Sequence, residues 1–265
     1  MLDLVYFEHR AESIRQAKTA GIRTFIIDWE RVGKERRQES AATEIDPGNL
    51  DDLVVAAVAA GRKHVQCRLN QLGDWTEREV EEAIHAGAGC LMLPMVRSPA
   101  EVERFLKLID GRCSAGILVE TVAAVEAARD LASFSLERIY VGLNDLAIER
   151  RSVDIFDAIV DGTVERLREV FSQRQFGFGG VTVVDGGRPI PCALLLAEME
   201  RLGATFSFCR RSFKRDIESR DMALEVERIR TLWTRLEARS YKEQQADQRM
   251  FIEQLDARRC PAPRW

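Results

Sequence analysis

Short apolar runs alternate with longer amphipathic stretches along most of the chain. Runs at residues 2–7, 24–28, 64–68, 90–93, 116–119, 138–141, 181–184 and 205–208 read as strands. Most are continuously apolar, as a parallel strand buried on both faces requires. Between them the spacing predicts helices at 11–20, 49–60, 76–85, 100–109, 123–132, 155–174 and 193–202, with a last one beginning near Asp216. Strict strand–helix alternation implies a parallel sheet, and eight such units favour closure into a single (β/α)8 barrel. Four joints share an apolar residue followed by glycine, at Gly21, Gly61, Gly87 and Gly203, where the left-handed end of a helix is expected.

The pattern divides the chain into a barrel domain over residues 1–237 and a C-terminal helical extension over 238–265. Met222, Val226, Ile229, Leu232, Trp233 and Leu236 form an apolar stripe at helical spacing. The following segment is strongly polar but carries Tyr241, Met250, Phe251, Ile252 and Leu255. These residues bury too little surface alone to offset ordering entropy, so the segment is expected to pack on a neighbouring subunit of a homo-oligomer.

Composition narrows the class. Of 265 residues, 46% are hydrophobic and 31% charged, and 39 basic against 43 acidic side chains leave a net charge of −4. Nucleic-acid binding ordinarily leaves a basic excess, so it is not expected. No stretch approaches the roughly 18 apolar residues of a membrane span, and no signal-like segment opens the chain. The six cysteines form no C-x-x-C pair and, with three histidines, no zinc spacing. They read as reduced thiols of a cytoplasmic protein.

A barrel of this kind carries its chemistry at the C-terminal ends of its strands. There the sequence places Asp28 and Glu30 after strand two, Arg68 and Asn70 after strand three, and Glu120 after strand five. Gly142, Asn144 and Asp145 follow strand six, and Arg210 and Arg211 follow strand eight. Four converging carboxylates repel one another unless a cation neutralises them, and Mg²⁺ typically takes one or two carboxylates with water and substrate oxygens completing its shell. The basic cluster Arg210, Arg211, Lys214 and Arg215 suits a phosphate or an extra carboxylate on a substrate, or a solvated turn paired with Asp216 and Glu218.

Several of these segments resemble the HpcH/HpaI aldolase and citrate lyase β-subunit family. Residues 116–126 read Gly-Ile-Leu-Val-Glu-Thr-Val-Ala-Ala-Val-Glu and residues 139–146 read Ile-Tyr-Val-Gly-Leu-Asn-Asp-Leu. They are similar to that family's "Ile-Glu-Thr" after strand five and "Gly-Pro-x-Asp-Leu" after strand six. Met92-Leu93-Pro94-Met95-Val96, Asp28-Trp29-Glu30, Cys67-Arg68-Leu69-Asn70 and Phe176-Gly177-Phe178-Gly179-Gly180 look like further family motifs. The resemblance implies Glu120 and Asp145 as ligands of a divalent metal, Mg²⁺ first, with Mn²⁺ or Co²⁺ as alternatives. It implies a 2-oxo acid such as pyruvate as substrate, a metal-stabilised enolate, and trimers or hexamers.

On this reading Arg68 and Glu30 are catalytic, and Gly142, Asn144, Asp28, Arg210 and Arg211 bind substrate. Backbone N–H groups around Gly142 and Asn144 are expected to hold a carboxylate. Arg68→Ala is expected to lower kcat while leaving the melting temperature nearly unchanged. The chain departs from the family at Arg31, where the aldolase branch has a His, with His85 at or near its Asp partner, and at Cys209-Arg210, where a glycine is usual. Asp185-Gly186-Gly187-Arg188-Pro189 replaces the lyase branch's His-Pro. Three readings therefore stand: a class II-type aldolase, an acyl-CoA lyase of the citryl- or malyl-CoA type, or a catalytically impaired barrel acting as a binding subunit.

Overall fold

Eight short strands close into one parallel barrel in sequence order, with β1 hydrogen-bonded to both β2 and β8. The computed structural model describes residues 1–33 and 48–259. The strands are β1 Asp3–Phe7, β2 Thr24–Asp28, β3 Val65–Arg68, β4 Cys90–Leu93, β5 Ser114–Val119, β6 Arg138–Val141, β7 Gln175–Phe178 and β8 Phe206–Phe208. The described helices are α1 Ala11–Thr19, α2 Leu50–Ala60, α3 Thr76–Ala86, α4 Pro99–Ile109, α5 Val122–Glu126, α6 Ala128–Leu131, α7 Leu143–Arg150, α8 Asp157–Val160, α9 Thr163–Val170, α10 Cys192–Arg201, α11 Arg211–Ile217, α12 Met222–Glu237 and α13 Tyr241–Arg259. Cys260 and the five residues after it lie outside the described residues.

Alternate strand positions serve two cores. Val5, Ile26, Met92, Leu118, Tyr140 and Phe206 point into the barrel with Cys90 and Phe208, while the other faces join the large core under the helices. This double burial is why the strands read as unbroken apolar runs. The helices start where the chain supplies caps: Asn49 and Asp52 form a reciprocal capping box, and Ser98 caps α4 with Pro99 at its first position. The four joint glycines all have positive φ, from 64° at Gly203 to 108° at Gly87.

The structure corrects the sequence reading in several places. The seventh strand is Gln175–Phe178, not residues 181–184; Val181 contributes only an isolated bridge to Cys209. Phe176 and Phe178 are fully buried, but the glycines beside them dilute the apolar run that marks a strand. The joint between β7 and β8 carries one paired position, Gly177 with Phe206. Side chains help to stitch it: Thr205 Oγ1 accepts from Phe176 N at 2.9 Å and Ser207 Oγ donates to Phe178 O at 3.1 Å. The stretch after β6 is the helix α7, where the apolar spacing predicts no helix. The helix expected at 155–174 is two pieces, α8 and α9, separated by Gly162 at φ 78°. The outer layer after β8 is likewise divided into α11 and α12.

The C-terminal helix α13 lies along α10 of its own barrel. Phe251 and Leu255 are buried there, and Phe251 meets Phe156 edge-on with ring centroids 5.9 Å apart. Arg239 bridges Glu200, at 2.6 Å, and Asp247, while Arg258 and Arg259 pair with Asp154 and Asp157. Met250 remains half-exposed. No described helix is long and apolar enough to cross a membrane. The five described cysteines are free thiols.

Candidate active site at the barrel mouth

The C-terminal strand ends bring an arginine among carboxylates. Asp28 and Arg68 end neighbouring strands in register, so their side chains meet side by side. Arg68 Nε and Nη2 donate to the two Asp28 oxygens at 2.9 and 2.6 Å, a bidentate fork. Glu30 Oε2 stands 3.5 Å from Arg68 Nη1, and the Glu30 side chain is almost wholly buried. The Phe7 ring lies 5.8 Å from the guanidinium carbon. Burial alone would lower the Arg68 pKa, but Asp28 and Glu30 outweigh it and hold the group well above its usual range.

Glu120 follows β5 and is 2% exposed. Its Oε1 accepts from Met95 N at 2.8 Å, in the turn after β4. Its Oε2 lies against Gly142, where an added Cβ would fall 2.2 Å from the oxygen; only glycine leaves the carboxylate this place. Thr121 fixes the same corner, donating to Val96 O at 2.5 Å and capping α5. Burial, then the charges of Glu30 and Asp145, push the Glu120 carboxyl up to about 8, against the pull of Arg68. Asp145 stands in the first turn of α7, where an acid complements the helix dipole.

This donor set fits a hard divalent cation. Burial, with the charges of Glu30 and Asp145, forces Glu120 toward protonation, and a dication held by Glu120 and Asp145 would remove the conflict. Among the described residues no three His, Cys, Asp or Glu side chains form a metal cage. Two carboxylates with water and substrate oxygens are a magnesium-type arrangement.

The cleft beside this pair has a volume of about 870 Å³. Asp28, Arg68, Arg210 and Arg211 line it, as does Tyr140, which stacks on Phe208 with centroids 4.0 Å apart and donates its hydroxyl to Gly179 O. Glu30, Glu120, Gly142, Asn144 and Asp145 are not among the lining residues; Glu30 follows β2, and the other four follow β5 and β6. The Gly142 N–H donates to Val119 O at 3.1 Å, so it is committed to the sheet and not offered to a ligand as expected. Asn144 occupies the first turn of α7, whose N–H groups lack intrahelical acceptors.

Other sequence candidates have different duties. Arg31 Nη2 donates to Gly48 O at 2.8 Å, and the side chain is exposed. Asn70 Oδ1 accepts from the N–H groups of Arg31 and Val32 at 2.7 and 2.8 Å, pinning the segment after β2. His85 is exposed in the last turn of α3, at the end of the barrel opposite the mouth. In the basic cluster, Lys214 pairs with Glu8 at 3.1 Å, not with Asp216 or Glu218, and Asp216 accepts from Thr182. Arg211 has no acidic partner among the described residues.

The sequence reading missed Glu8, His9 and Arg10, which follow β1. Glu8 is buried; desolvation opposes its charge, but Arg10 and Lys214 outweigh this and bring its pKa down to about 2. The same strand-end rule that found the other acids, applied to Phe7-Glu8-His9-Arg10, identifies this group.

A closed (β/α)8 barrel with an arginine and buried acids at its mouth has its polar groups at the end where such barrels carry their chemistry. No protein-family model matches this chain, and no curated protein matches it in sequence. Solved structures do. The HpcH/HpaI aldolase from Desulfitobacterium hafniense DCB-2 superposes with a TM-score of 0.59 at 16% identity, over 85% of this chain and 91% of its own. A citrate lyase from Burkholderia xenovorans LB400 gives 0.61 at 13% identity, over 93% and 96%. The protein CitE from Mycobacterium tuberculosis, solved in complex with magnesium and acetate, gives 0.59 at 14% identity, over 95% and 97%. The family that the motifs resemble is thus represented among the structures sharing this fold.

Proposed function

We propose that this chain is a metal-dependent carbon–carbon lyase that cleaves or forms a bond next to a 2-oxo acid such as pyruvate. The observation that carries the reading is the buried Glu120 carboxyl, raised to about 8 beside Glu30 and Asp145, with Arg68 facing the same acids. Glu120 and Asp145 would hold the cation, which when bound supplies Lewis-acid polarisation of the substrate's oxygens. Asp28 fixes the plane of the Arg68 guanidinium through two hydrogen bonds. With one further N–H directed at Glu30, two of the five guanidinium N–H groups remain to meet a developing oxyanion. Glu30 keeps Arg68 oriented from the second side. The aromatic floor of Tyr140 and Phe208 keeps water from beneath the substrate.

An enolate-forming site exchanges the methyl hydrogens of pyruvate with solvent. In D2O with Mg²⁺, deuterium incorporation into pyruvate, followed by NMR, is expected with the wild-type chain and not after chelation or in Glu120→Ala. Exchange that persists in Glu120→Ala refutes the reading.

The cleft volume and its basic rim favour a second reading in the same reaction class, an acyl-thioester substrate such as an acyl-CoA. Pyruvate fills little of about 870 Å³, and Arg211 is open to an anion. Arg211→Ala is expected to raise KM for a phosphate-bearing substrate about tenfold or more and leave free pyruvate unaffected. Equal kinetics on both leave Arg211 as ordinary surface. Lys214, expected from sequence to act likewise, is instead engaged by Glu8.

A further inference from the structure

The described site needs a group that moves a proton to and from carbon, and the residues named so far are occupied otherwise. Asp28 is locked on Arg68, Glu30 lies outside the cleft lining, and Tyr140 spends its proton on Gly179 O. Two of the three histidines lie at the far end of the barrel: His64 enters β3, and His85 ends α3 before β4. His9 is the third, and it lines the cleft together with Arg68, Tyr140 and Phe208.

His9 is held there by a built arrangement. The buried Glu8 carboxylate accepts from the backbone N–H groups of His9 and Arg10 at 3.1 and 3.0 Å. Arg10 returns to both Glu8 oxygens with its side chain, at 3.1 Å each, and Lys214 of α11 closes on Oε2 at 3.1 Å. Two cations and two amides therefore fix the turn after β1. The imidazole itself makes no hydrogen bond or ion pair among the described residues and is half-buried at the mouth. A clamp of this kind positions a side chain without consuming its ring nitrogens. Glu218, the other acid of the lining, is exposed at the outer rim.

We infer that His9 is the proton-transfer residue of this site, with Glu8, Arg10 and Lys214 as its positioning residues. The inference rests on the enolate-forming reading given above. A neutral His9 ring nitrogen takes a proton from the carbon next to the keto group. The C–H electron pair becomes the carbon–carbon double bond of the enolate, and the keto oxygen takes the negative charge beside Arg68. In the reverse sense the imidazolium returns the proton to carbon, so protons and electrons balance with no further reactant.

The test uses Mg²⁺, pyruvate and the full chain. His9→Gln is expected to lower pyruvate deuterium exchange by about 100-fold or more while the calorimetric pyruvate affinity stays within about threefold. Added imidazole is expected to restore part of the exchange in His9→Ala. Exchange in His9→Gln within about threefold of wild type overturns the inference and leaves the lyase reading standing. Affinity that falls as far as exchange makes His9 a binding residue and overturns it too. A wild-type chain that catalyses no exchange removes both the reading and the inference.

Discussion

Replacing Arg68 with alanine is expected to damage both turnover and stability. Loss of a preorganised donor at a developing oxyanion typically lowers kcat by about 10²–10³. The contacts of Arg68 favour a lowered melting temperature over the unchanged one expected from the sequence. Arg68 forks onto Asp28, approaches Glu30 at 3.5 Å and opposes the repulsion that burdens Glu120. Removing one partner of a buried pair strands the other, at a cost of about 3–5 kcal/mol. For a chain of this size that is a fall in Tm of roughly 10 °C. Because the stranded groups are carboxylates, the deficit shrinks as pH falls and they become protonated. Arg68→Lys keeps the charge but loses the fork, so it is expected to recover much of the stability and little of the rate. Measuring kcat, KM and melting curves at two pH values checks the argument. A rise in KM alone makes Arg68 a binding group; an unchanged Tm removes its part in holding the mouth together.

Adding Mg²⁺ to the metal-free protein at pH 7 is expected to release about one proton per site. Glu120 moves from an ordinary 4.5 to about 8 in the folded chain. Between those values the folded state binds a proton that the unfolded state does not. The stability of the metal-free protein therefore falls as pH rises through that window, the reverse of a salt-bridged carboxylate. A cation at Glu120 and Asp145 must displace that proton, so Mg²⁺ affinity is expected to climb up to tenfold per pH unit and level off above about pH 8. Calorimetry in buffers of different ionisation enthalpy counts the proton, and Glu120→Gln is expected to abolish both release and pH dependence. Binding at pH 7 without proton release places the cation elsewhere.

The barrel was legible because parallel strands buried on both faces leave the simplest trace, an apolar run, and six of the eight runs coincide closely with their strands. Where small residues carry the strand, as at Gly177 in β7, the trace fades and the more apolar residues 181–184 draw attention one segment too late. Helix α7 was hidden because Gly-Leu-Asn-Asp has the composition of a turn, although Asp145 in its first turn is a favourable helix start. Among site residues, the strand-end rule located Asp28, Arg68 and Glu120, since a charged residue ending an apolar strand has few other reasons to be there. Sequence spacing could not show that Lys214 reaches to Glu8 at the end of the neighbouring strand β1, nor that Arg31 turns outward to Gly48. Those outcomes depend on side-chain direction between segments far apart in the chain.

The uneven stitching of the barrel has a consequence for how such a cleft diversifies. On the side of β2 to β6, neighbouring strands share three or four paired positions, and this side carries Asp28, Arg68, Glu120 and Asp145. The opposite joint, between β7 and β8, shares a single paired position within the strands and is continued by the Val181–Cys209 bridge and by the hydroxyls of Thr205 and Ser207. It carries Gly179, Phe208 and Arg210. The barrel mouth thus has one side built on regular strand pairing and one built more on loop bridges and side chains. Substitutions on the second side can admit a different substrate tail without touching the pairing that sets the reacting groups in register, so selectivity and chemistry are free to drift separately.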